Sequence, residues 1–391
     1  MHSKKIWVLL EKDKNLFSHC PLMYIQRTLY PILQNYLEKK KVIILYGARQ
    51  VGKTTLAKEL FKNQKYLYLN GDEYTTRQML WDFSKIGLEK IVTGWDCILF
   101  DEAQKMKDIG TLLKIIHENF PEKKLIATWS SSFELANRIN EPLTWRKYEF
   151  TLYPFSIEEI SQNYNFIELS SKIDDCLITG MYPEIIVDYD SQSLKNLVNS
   201  YVYKDVLTFE KIKKSDELIK LLQLLAFQIG SEVSYYELWQ QCGLNSKTVE
   251  QYIQILEQAF IIFRLSSYTY NQRNAIKKKK KIYFWDLWVR NMLINNLNPV
   301  NLRNDLGGIW ENFVIVEMIK KMHNHLENVS FYFWKDQKAE LDFIVSMNGE
   351  LKGYEIKYTR NKGKNYQYIK NTLNLASLEI INKENVWDFI R

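Results

Sequence analysis

The sequence predicts an α/β protein in which helices cover a parallel sheet, followed by a helical middle part and an α+β C-terminal part. Three observations predict this. From about residue 42 to 155, strand-like apolar runs alternate with helical stretches, which is typical of a parallel sheet. After residue 200, apolar residues recur at helical spacing. Near the C-terminus, two strand-like segments flank Asn348-Gly349, the strongest short-range hairpin signal.

The composition is that of a globular protein. The chain has 391 residues, of which 46% are hydrophobic and 25% are charged. A net charge of +7 permits a polyanionic partner without requiring one. Cysteines occur singly at 20, 97, 176 and 242, so neither a disulfide framework nor a zinc site is indicated, and a cytoplasmic location is expected. The apolar runs are too short for a signal peptide or a membrane span, so no membrane association is expected.

A phosphate-binding loop is predicted by residues 47–54, GARQVGKT, which match G-x-x-x-x-G-K-[ST] at every fixed position. The loop lies between a buried-strand run and a helix-forming run, as the motif requires. Its glycines allow backbone N–H groups to face phosphate oxygens at the positive end of the helix. Lys53 is expected to reach the β- and γ-phosphates, and Thr54 to ligate Mg²⁺. The predicted nucleotide-binding residues are Gly47, Ala48, Arg49, Gln50, Val51, Gly52, Lys53, Thr54 and Thr55.

The second half of this site is predicted downstream. A buried-strand run at 97–100 ends in Asp101-Glu102. Asp101 is expected to hold the Mg²⁺ shell, and Glu102 to polarise the attacking water. A third run at 125–128 leads to Ser130, whose hydroxyl is expected near the γ-phosphate. The alternative is that the two acids only cap the next helix. Because no guanine-recognition loop stands out, ATP is the expected nucleotide.

The middle part has the spacing of a helix-turn-helix. Ser234 to Glu237 reads as a capping box, and Gly243 ends that helix before another begins. Strand-like residues at 261–263 and 281–284 are predicted to form a wing. The run Lys277–Lys281 offers charges that neutralise phosphates. Two interpretations remain open at this point, a DNA-binding unit and a protein-protein adaptor with a basic, solvated loop.

Paired carboxylates are predicted in the C-terminal hairpin. A two-residue turn pairs Met347 with Glu350, and counting outward places Asp342 opposite Glu355. Directly opposed residues have Cβ atoms roughly 5 Å apart on one face. The same count places Glu340 opposite Lys357.

Two carboxylates with a lysine are what metal-dependent phosphodiester cleavage requires. Glu311, on a helical run, is a candidate third carboxylate. A second metal site at Glu311, Asp342 and Glu355, with Lys357, is therefore one hypothesis. The alternative is an ordinary solvated strand, on which charges alternate.

With these motifs, the chain resembles the prokaryotic ATPases that join an AAA-like P-loop domain to a C-terminal DUF4143 domain. The segments that carry the resemblance are 45–56, 100–105, Arg146 with 151–156, 203–206, 281–286, 307–312, Asp342 and 355–357. The resemblance implies a RecA/AAA-like P-loop NTPase core, a winged-helix middle and a C-terminal fold similar to restriction-endonuclease-like PD-(D/E)xK proteins. Glu311, Asp342, Glu355 and Lys357 stand at that motif's positions. Trp129, where such proteins usually have Gly, and Lys335, where they usually have Arg, depart from the pattern.

The resemblance also suggests an arginine that acts between subunits. In AAA-type relatives an arginine often reaches a neighbour's γ-phosphate, and Arg138 or Arg146 is the candidate here. Such a catalytic role for Arg146 implies a homo-oligomer. The alternative is an arginine tied to the protein's own acids.

Five segments are predicted from these patterns. They are an N-terminal extension at 1–22, a P-loop ATPase core at 23–155, a helical connection at 156–200, a winged-helix-like module at 201–270 and a nuclease-like domain at 271–391. The leading functional hypothesis is Mg²⁺-dependent ATP hydrolysis that drives or gates a DNA-associated C-terminal module. The alternatives are a metal-dependent DNA nuclease regulated by ATP, and a nucleotide-controlled switch that binds a protein partner.

Overall fold

The structure is a computed structural model, and the fold is described for residues 24–81, 85–130, 143–187, 215–269, 280–359 and 365–391. The predicted extension at 1–22, Arg138 and Lys277–Lys279 lie outside these ranges.

The N-terminal half contains a parallel sheet. Its elements are α1 Leu29–Leu37, β1 Val42–Tyr46, α2 Lys53–Leu60, β2 Tyr66–Asn70, α3 Tyr74–Met79, α4 Lys85–Val92, β3 Cys97–Asp101, a 3₁₀ turn at Ala103–Lys105, α5 Ile109–Asn119, β4 Lys124–Trp129 and β5 Lys147–Thr151. The five strands lie in the order β2-β3-β4-β1-β5, and each neighbouring pair is parallel. Every residue of β1 and β3 is buried, because helices cover both faces of the sheet. The predicted parallel α/β fold is confirmed.

The middle part is mainly helical. Its elements are α6 Ile157–Ile160, α7 Phe166–Thr179, α8 Pro183–Val187, α9 Ser215–Phe227, β6 Glu232–Val233, α10 Tyr235–Cys242, α11 Ser246–Gln258, β7 Ile262–Ser267, β8 Lys280–Phe284 and α12 Leu287–Leu293. Gly243 has a φ of 71° and ends α10 in the left-handed conformation that glycine favours. The Asn245 side chain then accepts a hydrogen bond from the Thr248 backbone at 2.8 Å and caps α11. The helix, glycine turn and second helix therefore form where the spacing predicts them.

The C-terminal part completes a second sheet. Its elements are a 3₁₀ turn at Val300–Leu302, α13 Leu306–Asn324, β9 Val329–Lys335, β10 Glu340–Met347, β11 Glu350–Ile356, α14 Tyr366–Leu373, β12 Ser377–Ile381 and α15 Trp387–Ile390. The strand order of this mixed sheet is β12-β11-β10-β9-β7-β8-β6. The β10–β11 hairpin has the predicted register, with Met347 paired to Glu350. Asn348 and Gly349 have φ values of 52° and 86°, as the tight hairpin turn requires.

The predicted wing is not a free-standing hairpin. Strands β7 and β8 pair with each other, but β7 also pairs in parallel with β9 of the C-terminal part. The predicted boundary between 201–270 and 271–391 therefore runs through one continuous sheet. Local sequence signals could not identify β9 as the next partner, because that pairing joins segments far apart in the chain.

One hydrophobic cluster includes residues of both halves, from Ile25 to Ile390, and two smaller clusters lie within the N-terminal and the C-terminal part. Helix α13 lies within the first of these clusters, and even its Glu317 and Lys320 are buried. Among the described helices, none combines the length and the apolar character that crossing a membrane requires.

Candidate functional site

The phosphate-binding loop lies at the carboxyl end of β1 and leads into α2. Gly47 and Gly52 have φ values of 145° and 94°, which other residues rarely adopt. A Cβ atom at Gly47 would also lie 2.1 Å from the carbonyl oxygen of Leu152, so a larger residue cannot fit there. The loop is therefore held in a conformation that only glycine permits at these two positions.

The Lys53 ammonium closes the loop. Its Nζ donates hydrogen bonds to the carbonyl oxygens of Gly47 and Ala48, at 2.9 and 2.7 Å. The side chain is 5% exposed, and it lies along the inner side of the loop. A cation in this position neutralises phosphate charge when the loop binds an anion.

Thr54 and Asp101 meet as predicted for a metal pair. The Thr54 hydroxyl donates to Asp101 Oδ1 at 2.8 Å. Asp101 also accepts bonds from the hydroxyls of Thr128, at 2.6 Å, and Tyr68, at 2.8 Å. Burial, together with the bond to Asp101, raises the pKa of Tyr68. This donor set fits a hard Mg²⁺ ion, because a carboxylate and a hydroxyl on facing elements converge on one point.

Tyr68 and Thr128 were not assigned roles by the sequence reasoning. Tyr68 lies on β2, and Asn70 of that strand is in register with Asp101. The alternating aromatic residues of β2 were the available signal. That signal identifies a half-buried strand, but it does not identify the carboxylate beside which the strand lies.

Glu102 and Ser130 are brought together by a third residue, Gln104. The Ser130 hydroxyl donates to Glu102 Oε2 at 3.1 Å. The Gln104 amide donates to the same carboxylate oxygen at 2.6 Å and to Ser130 Oγ at 2.7 Å. Glu102 has a φ of 47°, and its backbone N–H donates to the Thr128 hydroxyl at 3.1 Å. These contacts hold the Glu102 carboxylate against Ser130 and Gln104, where β3 and β4 end.

Trp129 does not disrupt this strand end. Its ring is buried and packs against Tyr46, with ring centroids 6.4 Å apart. The departure from glycine at this position is therefore accommodated by the core of the sheet.

Arg146 lies away from the loop. It precedes β5, and its carbonyl accepts a bond from the backbone of Val42, at the amino end of β1. The phosphate-binding loop is at the other end of β1, roughly 16 Å away along five residues. Arg146 forms an ion pair with Glu118 at 2.9 Å, which is the alternative that the sequence left open. Within one chain it cannot reach the loop, and its role between subunits remains a prediction.

Arg27 anchors the loop from outside. Its Nη1 donates to the carbonyl of Val51 at 2.9 Å, and its Nη2 to the carbonyl of Tyr153 at 2.5 Å. Its Nε pairs with Glu159 at 2.9 Å, and both side chains are 5% exposed or less. The sequence reasoning did not single out this arginine, because its partners are distant in the chain.

An apolar pocket lies beside the loop and encloses about 310 Å³. Gly52, Thr55 and Leu56 form the side that belongs to the loop and α2. Its other apolar walls come from Tyr24, Ile25, Phe155, Pro183 and Val187.

Helix α13 of the C-terminal half contacts the segment beside the loop. Lys320 donates to the carbonyl of Phe155 at 2.9 Å and to Glu317 at 2.7 Å. The backbone N–H of Ile157 donates to the second oxygen of Glu317 at 2.7 Å. Burial raises the pKa of Glu317. Residues 153–159 are therefore bonded to the phosphate-binding loop through Arg27 and to α13 through Glu317 and Lys320.

The hairpin carboxylates lie together as predicted. The backbone N–H of Ile356 donates to Asp342 Oδ2 at 2.8 Å, and Lys357 contacts both Glu355, at 2.8 Å, and Asp342, at 3.4 Å. Burial, then repulsion from Asp342, raises the pKa of Glu355. Glu340 is not opposite Lys357, however. The β10–β11 ladder ends at Phe343 and Tyr354, before it reaches these two residues, and Glu340 is instead the partner of Lys335 on β9, with the two charged groups 2.8 Å apart.

Lys281 is the unexpected member of this cluster. It ends the predicted basic run, yet it is 2% exposed. Its Nζ lies 3.1 Å from Glu311, 2.9 Å from Glu340 and 4.0 Å from Asp342. The Tyr283 hydroxyl donates to Glu311 at 2.6 Å. Burial, then repulsion from Asp342, raises the pKa of Glu311 to about 7.

The second metal site at Glu311, Asp342 and Glu355 remains a prediction. Glu311, Asp342 and Glu355 are present, but the Lys281 and Lys357 ammonium groups lie among them. In the described part of the chain, no three acidic, histidine or cysteine side chains are spaced to hold a metal ion.

Comparison with solved structures gives neighbours of low similarity. The Walker-type ATPase of Pyrococcus abyssi aligns with a TM-score of 0.47 and 15% identity, over 71% of this chain and 99% of that one. A signal-transduction ATPase with a tetratricopeptide-repeat sensor from Pyrococcus horikoshii aligns with a TM-score of 0.32 and 15% identity, over 78% of this chain and 47% of that one.

Similar sequences occur in bacteria and archaea. An uncharacterized protein of Mycobacterium tuberculosis is 24% identical over 338 residues, which are 84% of this chain and 72% of that protein. One from Haemophilus influenzae is 22% identical over 333 residues, or 79% and 80% of the two chains. One from Methanocaldococcus jannaschii is 24% identical over 363 residues, or 80% and 75%.

Three family models match successive parts of the chain. Residues 39–161 match an AAA domain, and residues 170–299 match a domain of unknown function, DUF8612. Residues 306–384 match a second domain of unknown function, DUF4143. The matches to an AAA domain and to DUF4143 therefore confirm the resemblance inferred from the motifs.

Proposed function

We propose that this protein is a Mg²⁺-dependent ATPase whose hydrolysis cycle drives or gates its C-terminal half. The observation that carries the proposal is the 2.8 Å contact between Thr54 and Asp101, made beside the Lys53 ammonium. These three residues come from the loop, α2 and the end of β3. Hydroxyl, carboxylate and ammonium groups together are the set that a metal-bound triphosphate requires.

Each residue has a distinct task in this proposal. Lys53 and the loop N–H groups bind the phosphates, while Thr54 and Asp101 would hold the metal. Mg²⁺, held there, would supply positive charge that neutralises the charge on the phosphates. Glu102 orients the attacking water and accepts its proton, and the bonds from Ser130 and Gln104 keep its carboxylate in position.

The apolar pocket supports an adenine nucleotide. It adjoins Gly52 and Thr55, so a base attached to a loop-bound triphosphate can enter it. Its volume of about 310 Å³ is at the lower end for small-ligand sites, which suits a purine. Its charged lining residue among those described, Arg27, is already bonded to Val51, Tyr153 and Glu159. An uncharged purine base is therefore favoured, and adenine is the proposed one because no guanine-recognition loop stands out in the sequence.

Coupling to the C-terminal half is supported by residues 153–159. This segment is bonded to Arg27 on the loop side and to Glu317 and Lys320 of α13 on the other. If the loop shifts when nucleotide binds, the Val51 carbonyl moves, and Arg27, which is bonded to that carbonyl, moves with it. That change reaches α13 without crossing solvent, because every side chain in the path is buried.

Two variants test the ATPase assignment. Lys53→Ala is expected to lose nucleotide binding, whereas Glu102→Gln is expected to keep binding and lose turnover. Lys62→Ala, on the exposed side beyond α2, is the matched control and is expected to behave as wild type. Undiminished turnover in both Lys53→Ala and Glu102→Gln would reject the proposal.

A protein partner is a second candidate target for the C-terminal half. DNA binding needs positive surface, and of the predicted basic run the structure describes two members: Lys281 is buried, and Lys280 is bonded to Ser266 at 3.0 Å. The exposed face of α11 carries Lys247 and Glu250, whose charges cancel.

Exposed aromatic side chains favour the protein partner further. Phe227, Tyr236 and Trp239 are 67%, 57% and 37% exposed at α9 and α10. Titration with duplex DNA at rising salt distinguishes the two targets. Salt-sensitive binding that is lost in Lys247→Ala would favour DNA instead.

A further inference from the structure

We propose that the acidic cluster of the C-terminal half is closed by the protein's own cation, Lys281, and that it is an ionic joint between strands rather than a divalent-metal centre. The ionic cluster is defined by the carboxylates of Glu311, Glu340, Asp342 and Glu355 and the ammonium groups of Lys281, Lys335 and Lys357. The inference is independent of the proposed ATPase activity.

Position is the first argument. The Lys281 ammonium has three N–H donors, and three carboxylates surround it. Glu311 and Glu340 lie within 3.1 Å of its nitrogen. A divalent ion would need oxygens at roughly 2.0–2.6 Å, so it cannot share this space with the ammonium.

Burial is the second argument. Lys281 is 2% exposed, and its stem packs on the sheet with Nζ 5.5 Å from the Phe333 ring. A lysine that contacted the cluster only part of the time would retain access to solvent. Its backbone also lies within β8, which is paired with β7, so the side chain stays on this face of the sheet.

Charge is the third argument. Without Lys281, four carboxylates would face two ammonium groups, Lys335 and Lys357, both of which are about 40% exposed. The deficit of two charges equals the charge of one divalent ion. Lys281 supplies one of these two charges from within the cluster, so four carboxylates face three ammonium groups and only one negative charge is left without a cation.

The joint connects three elements. Lys281 belongs to β8 of the middle part, Glu311 to α13, and Glu340 to β10 of the hairpin. Because β8 and β10 are not neighbours in the sheet, the ammonium links them where no backbone ladder does.

Mn²⁺ titration of the nucleotide-free, full-length protein tests the proposal. The experiment uses an Asp101→Asn background, so that the loop site contributes no metal binding. In this background Mn²⁺ uptake, followed by electron paramagnetic resonance, is expected to be the same with and without Asp342→Asn. One bound Mn²⁺ that disappears on adding Asp342→Asn would overturn the proposal.

Removing the ammonium is the converse test. Lys281→Met in the same background is expected to acquire a Mn²⁺-dependent rise in Tm of several degrees, which Asp342→Asn abolishes. Lys281→Arg, which keeps a cation, and Lys280→Met, on the same strand but bonded to Ser266, are the controls and should show no rise. A folded Lys281→Met protein without the rise would contradict the proposal. If Lys281→Met does not fold, the Mn²⁺ titration of the Asp101→Asn protein with and without Asp342→Asn decides the question.

Discussion

Replacing Arg27 by Met tests whether this residue holds the phosphate-binding loop in place. The substitution removes the guanidinium but keeps a long apolar stem beside Phe155. Three contacts are lost, to the carbonyls of Val51 and Tyr153 and to the Glu159 carboxylate. We therefore expect both stability and nucleotide affinity to fall.

The magnitude follows from what remains around Glu159. Breaking a buried ion pair by removing one partner costs about 3–5 kcal/mol. The lower figure applies here, because the Glu159 carboxylate keeps bonds from the backbone N–H groups of Thr28 and Ser156, each at 3.0 Å. A loss of about 3 kcal/mol corresponds to a fall in Tm of roughly 4 °C in a protein of this size. Releasing the Val51 carbonyl adds a rise of about tenfold in the KM for ATP.

Thermal unfolding and steady-state ATPase kinetics measure the two effects. Lys62→Met, which removes an exposed ion pair with Glu59, is the control and should change stability by less than about 0.5 kcal/mol. The double variant Arg27→Met/Glu159→Gln should regain part of the lost stability, because no buried charge is left unpaired. An Arg27→Met protein with unchanged Tm and KM would show that Arg27 does not hold the loop in place.

Three further predictions concern single substitutions. Gln104→Ala should lower kcat about tenfold while ATP affinity is retained, because it frees the Glu102 carboxylate; an unchanged kcat would contradict this. Gly47→Ala should weaken ATP binding at least about tenfold, since its Cβ would clash at 2.1 Å with a carbonyl, and calorimetric titration that finds equal affinity would count against the loop geometry. Burial would raise the pKa of Asp305, but the bonds from Arg303 and Arg290 outweigh it and lower that pKa to about 2. The resulting stabilisation, about 2 kcal/mol, is present at a pH above the usual pKa of 3.8 and is lost as the pH falls toward 2. The unfolding free energies of wild type and Asp305→Asn should therefore converge over that pH range. A difference that stays constant with pH would contradict this prediction.

Local patterns in the sequence predicted much of the candidate site. The loop from Gly47 to Thr54, the strand that ends at Asp101, and the two-residue hairpin turn were each predicted from contiguous residues. In each case the determining physics is local, since glycine permits the loop, burial on both faces selects the strand, and Asn348-Gly349 fixes the hairpin register.

The parts that sequence could not predict depend on distant contacts. Arg27 reaches Glu159 across 132 positions, and no periodicity marks such a pair. Lys281 reads as the end of a solvated basic run, but its strand lies inside a seven-stranded sheet. Strand β7 shows no sign in its own residues that β9 will be its partner. Arg146 lies just before β5, at the end of the sheet opposite the phosphate-binding loop. That position likewise follows from strand direction rather than from composition.

The most direct test of the account is equilibrium binding of Mg²⁺-ATP to the nucleotide-free protein, measured by calorimetric titration of wild type and Lys53→Ala side by side. The account predicts saturable binding of one nucleotide per chain to wild type and none to the variant, with both proteins folded by circular dichroism. Absence of binding to folded wild-type protein, or equal binding to both, would contradict it.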